Sequence, residues 1–285
     1  MSCQICGRQS QGRLCQDCEI EQRAAERARA DGGLAESQQS FGAIIPADTL
    51  ADTIDAVNCL VNECKIHLDE DGLRISAVDP ANVGMVELTL DTRAFEAYGG
   101  ADGGTVGVNL ERLGDVVGLA DSGDLVHLDL DEQTRCLDIR AGGLEYDLAL
   151  IDPETVRQEP DIPDLDLPAR IVVEAGQLDR GLTAADLCSD HLALAADPEE
   201  RAFRMAAEGD TDTAEVTVEG TDLVDAQVEA AVSSLFSLDY LDDMAGPMAG
   251  DVTVRLGDEY PAKLEWSYVE GHGEVTYALA PRVAD

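Results

Sequence analysis

Four of the chain's eight cysteines fall within its first eighteen residues, as Cys3-x2-Cys6 and Cys15-x2-Cys18 with eight residues between the pairs. Two CxxC knuckles can wrap four thiolates around one ion in a closed tetrahedral site, and Gly7 and Gly12 supply the turns this needs. The chemistry predicted is a structural zinc centre; two disulfides or a redox pair are the alternatives. Cys59, Cys64, Cys136 and Cys188 are scattered through apolar-periodic segments and read as reduced core residues. Carboxylates offer a second chemistry. Asp69-Glu70-Asp71, or Asp161, Asp164 and Asp166, could hold a magnesium ion for hydrolysis. Asp69–Asp71 leads into Gly72 between two strands, however, which is the place for a hairpin turn. The second cluster sits in a proline-rich segment. No nucleophile–base pair accompanies either, and His67, His127, His191 and His272 stand in different contexts without ligand spacing. A carboxylate–metal hydrolase is therefore the weakest reading, and no catalytic residue is assigned.

Charge narrows the field. The 285 residues carry 59 Asp+Glu against 19 Lys+Arg, a formal net charge of −40, and only Lys65 and Lys263 among the basic residues are lysines. Such a chain repels nucleic acid and anionic membranes, so gripping DNA through a basic patch is excluded. The acids are spread along the sequence rather than gathered in a tail, which makes them a surface property. Self-repulsion on this scale is tolerable where the Debye length falls to about 3 Å, as in molar salt. Hydrophobic residues still make up 45%, enough for a sizeable core.

The charge also divides the chain. Residues 1–40 hold five arginines and six acids, a net of −1, whereas residues 41–285 hold 14 basic and 53 acidic groups, a net of −39. The first forty residues are read as a separate module: the zinc knuckle, a helix over Glu19–Ala30 carrying Arg23, Arg27 and Arg29, then a Gly-bounded linker. A start at a non-ATG codon for Leu34 would remove it. No basic-then-apolar leader follows Met1, and no window approaches 18 apolar residues, so neither export nor a membrane span is expected.

The elements of the body repeat. A helix is predicted from Asp48, with Leu50, Ile54, Val57, Leu60 and Val61 on one face. Strands follow at Lys65–Leu68, Leu73–Asp79 and Met85–Leu90, then a helix over Leu110–Ala120 and three alternating strands ending at Tyr146–Ile151. Shifted by 128, Leu50 falls on Leu178, Ala56 on Ala184, Glu87–Asp91 on Glu215–Glu219, and Leu110 and Leu113 on Leu238 and Leu241. The expectation is a duplicated α+β domain, residues 41–151 and 169–285, joined by an extended connector over 152–168 that contains four prolines.

Ser76–Met85, Gly107–Leu110, Arg157–Asp164, Ser234–Leu241 and Leu279–Arg282 together resemble the archaeal proliferating cell nuclear antigens, the DNA polymerase sliding clamps, and most of all those of extreme halophiles. The resemblance runs from about Phe41 to the end and leaves out residues 1–40. It implies the DNA-clamp fold: two duplicated α+β domains, each with helices on one face of its β-sheets, assembled as a homotrimeric ring. It implies a cytoplasmic, nucleoid-associated protein without catalysis that encircles duplex DNA, is loaded by a clamp loader, and tethers DNA polymerase, ligase and flap nuclease. A scaffold specialised for repair is the alternative. Partner peptides would enter a pocket of Val78, Val83, Met85, Ile162, Pro163, Pro261, Leu279, Ala280 and Pro281. Family members line the hole with lysines. Here the matching positions are Ala51, Asp52, Asn58, Asp115, Gly118 and Thr183, leaving Lys65, Arg112 and Arg180 as DNA-facing candidates.

Overall fold

The computed structural model describes residues 41–285 apart from 101–103, 132, 160–164, 201 and 283–285. The four-cysteine site, the helix predicted at 19–30, and Ile162 and Pro163 of the connector lie outside the described residues. Ser40–Asp285 makes one compact unit.

Its first half runs β1 (Gly42–Pro46), α1 (Ala47–Asn58), β2 (Glu63–Asp69), β3 (Gly72–Val78), β4 (Gly84–Asp91), β5 (Ala97–Gly99), β6 (Gly104–Asn109), α2 (Leu110–Val117), β7 (Leu125–Asp131), β8 (Cys136–Ala141) and β9 (Leu144–Ala149). The second half repeats that order: β10 (Ala169–Glu174), α3 (Ala175–Asp186), β11 (His191–Asp197), β12 (Ala202–Glu208), β13 (Thr213–Glu219), β14 (Asp225–Val228), β15 (Val232–Ser237), α4 (Leu238–Ala245), β16 (Asp251–Leu256), β17 (Ala262–Tyr268) and β18 (Gly273–Leu279). Both helix pairs keep the 128-residue offset, Ala47 matching Ala175 and Leu110 matching Leu238.

Local chemistry explains the elements. In α1, Leu50, Thr53, Ile54 and Val57 recur every three or four residues and are all buried, which lays one stripe on the sheets. α2 starts where the Asn109 side chain accepts the Arg112 N–H at 2.9 Å. In β11 the alternation is strict, with Leu192, Leu194 and Ala196 inward. Between β2 and β3, Gly72 adopts φ +140°, and a Cβ there would meet the Leu90 carbonyl oxygen at 2.0 Å, so this hairpin requires glycine. The Asp69–Asp71 carboxylates accordingly sit at a turn.

The sheets show how the halves are joined. β5-β1-β7-β8-β9 forms one sheet and β13-β12-β11-β15 another, while a nine-stranded sheet in the order β14-β10-β16-β17-β18-β4-β3-β2-β6 crosses from the second half into the first. The crossing pair is antiparallel, from Gly273↔Leu90 to Leu279↔Gly84. Tyr277 and Tyr268 bring large side chains under α1 at this joint. The Tyr277 hydroxyl donates to the Ala56 carbonyl at 2.7 Å, and the Tyr268 and Thr53 hydroxyls lie 2.8 Å apart.

Candidate partner and DNA surfaces

Seven of the nine residues expected in the peptide pocket converge where β3, β4, β17 and the end of β18 meet. Val78 pairs with Met85 across the β3–β4 hairpin, and Leu279 pairs with both Gly84 and Ala262. Beyond β18 the chain stays zipped to the first half, the Ala280 N–H donating to the Val83 carbonyl at 2.9 Å. Val83, Met85, Pro261, Ala280 and Pro281 are half-buried and present an apolar lip. Val78 and Leu279 are buried, Leu279 fully, so they form the floor beneath that lip and not its surface.

One residue that organises this corner has no place among the sequence-predicted positions. Asp79 accepts N–H groups from Ala81, Val83 and Gly84 at 2.7, 2.6 and 2.7 Å, and the Tyr240 hydroxyl of α4 donates to it at 2.7 Å. Burial alone would raise the Asp79 carboxyl, but the Tyr240 hydroxyl and the three backbone donors prevail and hold it below the ordinary carboxylate range. That same bond, with burial, pushes the Tyr240 phenol up to about 12. Asp79 thus fixes the turn carrying Val83 and ties it to a helix of the other half. Its sequence signal is Asp79-Pro80-Ala81-Asn82, an acceptor followed by proline and an asparagine that adopts φ +59°.

The connector enters over the first half. The Ile151 N–H donates to the Gly107 carbonyl at 2.8 Å, and Val156 is buried. A Cβ on Gly107 would meet the Ile151 carbonyl oxygen at 2.6 Å, so glycine permits this close approach. The Arg157 guanidinium donates to the Asn82 side-chain oxygen at 2.6 Å, and His67 bonds to Glu159.

Of the DNA-facing candidates, Arg112 and Arg180 are exposed on α2 and α3. Lys65 is on β2, where Cys64, Ile66 and Leu68 pack on the core and Lys65 alternates with them toward the connector. It lines a cavity of about 420 Å³ with Val156, Arg157 and Gln158 of the connector and with Asn109 and Glu111 at the start of α2. Apart from Gly176 and Thr183 on α3, the other exposed helix positions are acidic: Asp48, Asp52 and Asp55 on α1, Glu111 and Asp115 on α2, Asp179 and Asp186 on α3, and Asp239, Asp242 and Asp243 on α4. Burial and the neighbouring carboxylates Asp55 and Asp48 raise Asp52; burial, Asp242 and Asp239 raise Asp243.

The described cysteines, Cys59, Cys64, Cys136 and Cys188, are free. Burial pushes the Cys59 thiol up to about 11 and Cys64 to about 12. Among the described residues no three His, Cys, Asp or Glu side chains gather as a metal site, and no helix is long and apolar enough to cross a membrane.

Comparison with known proteins supplies the family. The profile for the proliferating cell nuclear antigen N-terminal domain matches residues 44–141. Among solved structures, the A. fulgidus PCNA in the complex described as the C-terminal region of FEN-1 bound to A. fulgidus PCNA superposes with TM-score 0.81 at 36% identity, over 86% of this chain and 99% of that one. PCNA from Thermococcus kodakaraensis superposes with TM-score 0.79 at 27% identity, over 85% and 100%. The DNA polymerase sliding clamps of Natronomonas pharaonis and Haloarcula marismortui are 57% and 58% identical over 245 residues, which is 85% of this chain and 98% of each relative. With that identity over nearly the whole of those relatives, and the duplicated fold they share, this chain belongs to the DNA polymerase sliding clamps.

Proposed function

We propose that three copies of this chain close into a ring around duplex DNA and tether DNA polymerase and other replication enzymes, the ring itself having no catalytic role. The observation that carries this is the pair of unpaired sheet edges. β9 and β13 are the repeats of β18 and β4, which join the halves inside one chain, and each ends its own sheet. Placing β9 of one copy on β13 of the next reproduces the internal joint. The equivalent register turns Tyr277↔Val86 into Tyr146↔Ala214 and Val275↔Leu88 into Leu144↔Val216. Leu187, 80% exposed at the end of α3, and Tyr146 on β9 are apolar surface at those two edges, and pairing covers both. Two halves per chain make six equivalent units in a trimer.

The helix surfaces offer DNA two arginines among ten acids, so affinity from phosphate contacts is small. Enclosure supplies the retention. Light scattering in molar salt is expected to give three times 30.3 kDa, and loaded rings are expected to stay on circular DNA and run off linear DNA. A monomer in molar salt, or equal loss from both DNAs, overturns the reading.

Peptide segments of partners, including a flap nuclease, ligase and the clamp loader, are read as docking on the lip formed by Val83, Met85, Pro261, Ala280 and Pro281. The complex of the A. fulgidus relative with the C-terminal region of FEN-1 supports a peptide-binding role. For the first forty residues, Cys3, Cys6, Cys15 and Cys18 are read as holding one structural zinc. Metal analysis with intact mass of the native protein should return one zinc per chain; a chain beginning at Met1 without zinc overturns that.

A further inference from the structure

The cavity beneath the start of the connector brings together two cations, Lys65 and Arg157, that form no ion pair among the described residues. Six arginines form ion pairs among the described residues: Arg93, Arg135, Arg140, Arg170, Arg204 and Arg255. Lys65 and Arg157 do not; Arg157 spends one donor on the neutral amide of Asn82. Both line the cavity of about 420 Å³, whose apolar walls include Leu60, Ala77, Val78 and Val156. In a chain of net charge −40, two uncommitted cations over an apolar floor mark a place where a carboxylate is accepted rather than repelled. Glu63 and Glu111 also line it, which disfavours a polyanion such as a nucleic-acid backbone and leaves room for a single negative group.

Val78 supplies the connection to partner binding, since it belongs both to this cavity and to the floor of the apolar lip. We propose that the cavity is a second subsite for partner peptides, taking one Asp or Glu side chain that flanks the apolar anchors, with Lys65 as the principal contact and Arg157 closing over it from the connector. This deepens the peptide-docking reading and rests on it. A half-buried lysine in a walled cavity is screened less by salt than an exposed one, so the preference persists where surface charge is silent.

The test uses the full chain in molar salt and synthetic peptides with apolar anchors. Glutamate is placed on either flank in turn, and each peptide is paired with its glutamine counterpart. The expected result is one flank at which glutamate binds about 3- to 10-fold more tightly than glutamine, as for a close pair that is partly desolvated. That preference is lost in Lys65→Gln and reduced in Arg157→Gln. Lys65→Glu shifts it to a lysine-bearing peptide, a gain that an unfolded or damaged variant cannot show. Equal binding of glutamate and glutamine peptides on both flanks, or a glutamate preference unchanged in Lys65→Gln, overturns the subsite while leaving the apolar lip standing. No binding of any peptide overturns the docking reading and this inference with it.

Discussion

The two halves share one order of elements, yet they treat the same sheet edge in opposite ways. In the first half β4 is sealed inside the chain by β18, and α1 covers the seam with Thr53 and Ala56 bonded to Tyr268 and Tyr277. In the second half β13 is an end strand. There Gly181 stands at the position of Thr53, and a Cβ on it would meet the Met205 sulfur at 2.3 Å. Leu187 stands at the position of Cys59 and is 80% exposed. The sealed seam has large side chains with satisfied hydroxyls; the open one has small and apolar residues awaiting a neighbour. Duplication followed by this divergence converts an intramolecular joint into a surface built to repeat it.

The largest expected contrast lies between matching positions on the two seams, Tyr277 and Tyr146, which pair with Leu264 and Ile139 on equivalent strands. Tyr277 is fully buried and Tyr146 exposed. Tyr277→Ala removes a core side chain and strands the Ala56 carbonyl, and is expected to cost about 3–5 kcal/mol. Tyr146→Ala is expected to stay within about 0.5 kcal/mol for the single chain. Urea unfolding in molar salt measures both, and equal costs would erase the distinction between a sealed and an open seam.

Next in size is the tie across the halves at Asp79. Its repeat in the second half is a loop where the Gly209 N–H donates to the Asp212 carbonyl and no side chain does Asp79's work. Asp79→Ala leaves three backbone N–H groups and the Tyr240 hydroxyl without their acceptor, an expected loss of about 2–3 kcal/mol; Tyr240→Phe removes one donor, about 1 kcal/mol. Because the folded carboxyl lies below its unfolded value, its contribution is full above the unfolded pKa and fades as pH falls through the folded one. Acid titration of stability should therefore show a limb at low pH that Asp79→Ala flattens.

Much of this was legible in residue pattern because burial writes itself as period. The apolar stripe of α1 and the alternation of β4 and β13 each have a buried side to mark them, and their offset reveals the duplication. β1, β5 and β6 are not predicted from the sequence: they are short, glycine-bearing or ended by proline, and tertiary pairing gives them their strand geometry. The second helix stops at Val117 instead of Ala120, since Gly118 and the following turn leave no periodic stripe to bury. At the site, the lip around Val83 and Pro281 was readable as a motif. The Asp79–Tyr240 bond was not, because it joins residues 161 apart in sequence and local pattern carries no trace of such a pair. Lys65 shows the same gap: residue type gives a cation without a place, and the alternation of β2 against the core sets it beside the connector.

The smallest effect separates the helix surfaces from the seams. Asp52 on α1 and Asp243 on α4 have carboxyls raised by burial and by acidic neighbours, so both are less stable as anions in the folded chain than in the unfolded one. For a raised carboxylate the linkage has the reverse sign to that of Asp79: stability is gained on protonation and lost as pH rises through the folded pKa. Asp52→Asn and Asp243→Asn should therefore each stabilise the chain at neutral pH. The gain is small at these solvent-facing sites, below about 0.5 kcal/mol, because water and ions already screen them. The share owed to the acidic neighbours should be greatest at low salt and fade in molar salt, where the Debye length falls to about 3 Å, while the larger share owed to burial persists. Thermal melts of both variants across salt read this directly. If the gain did not change with salt at all, local desolvation alone would govern these helices, and repulsion along their acidic faces would not be what high salt relieves.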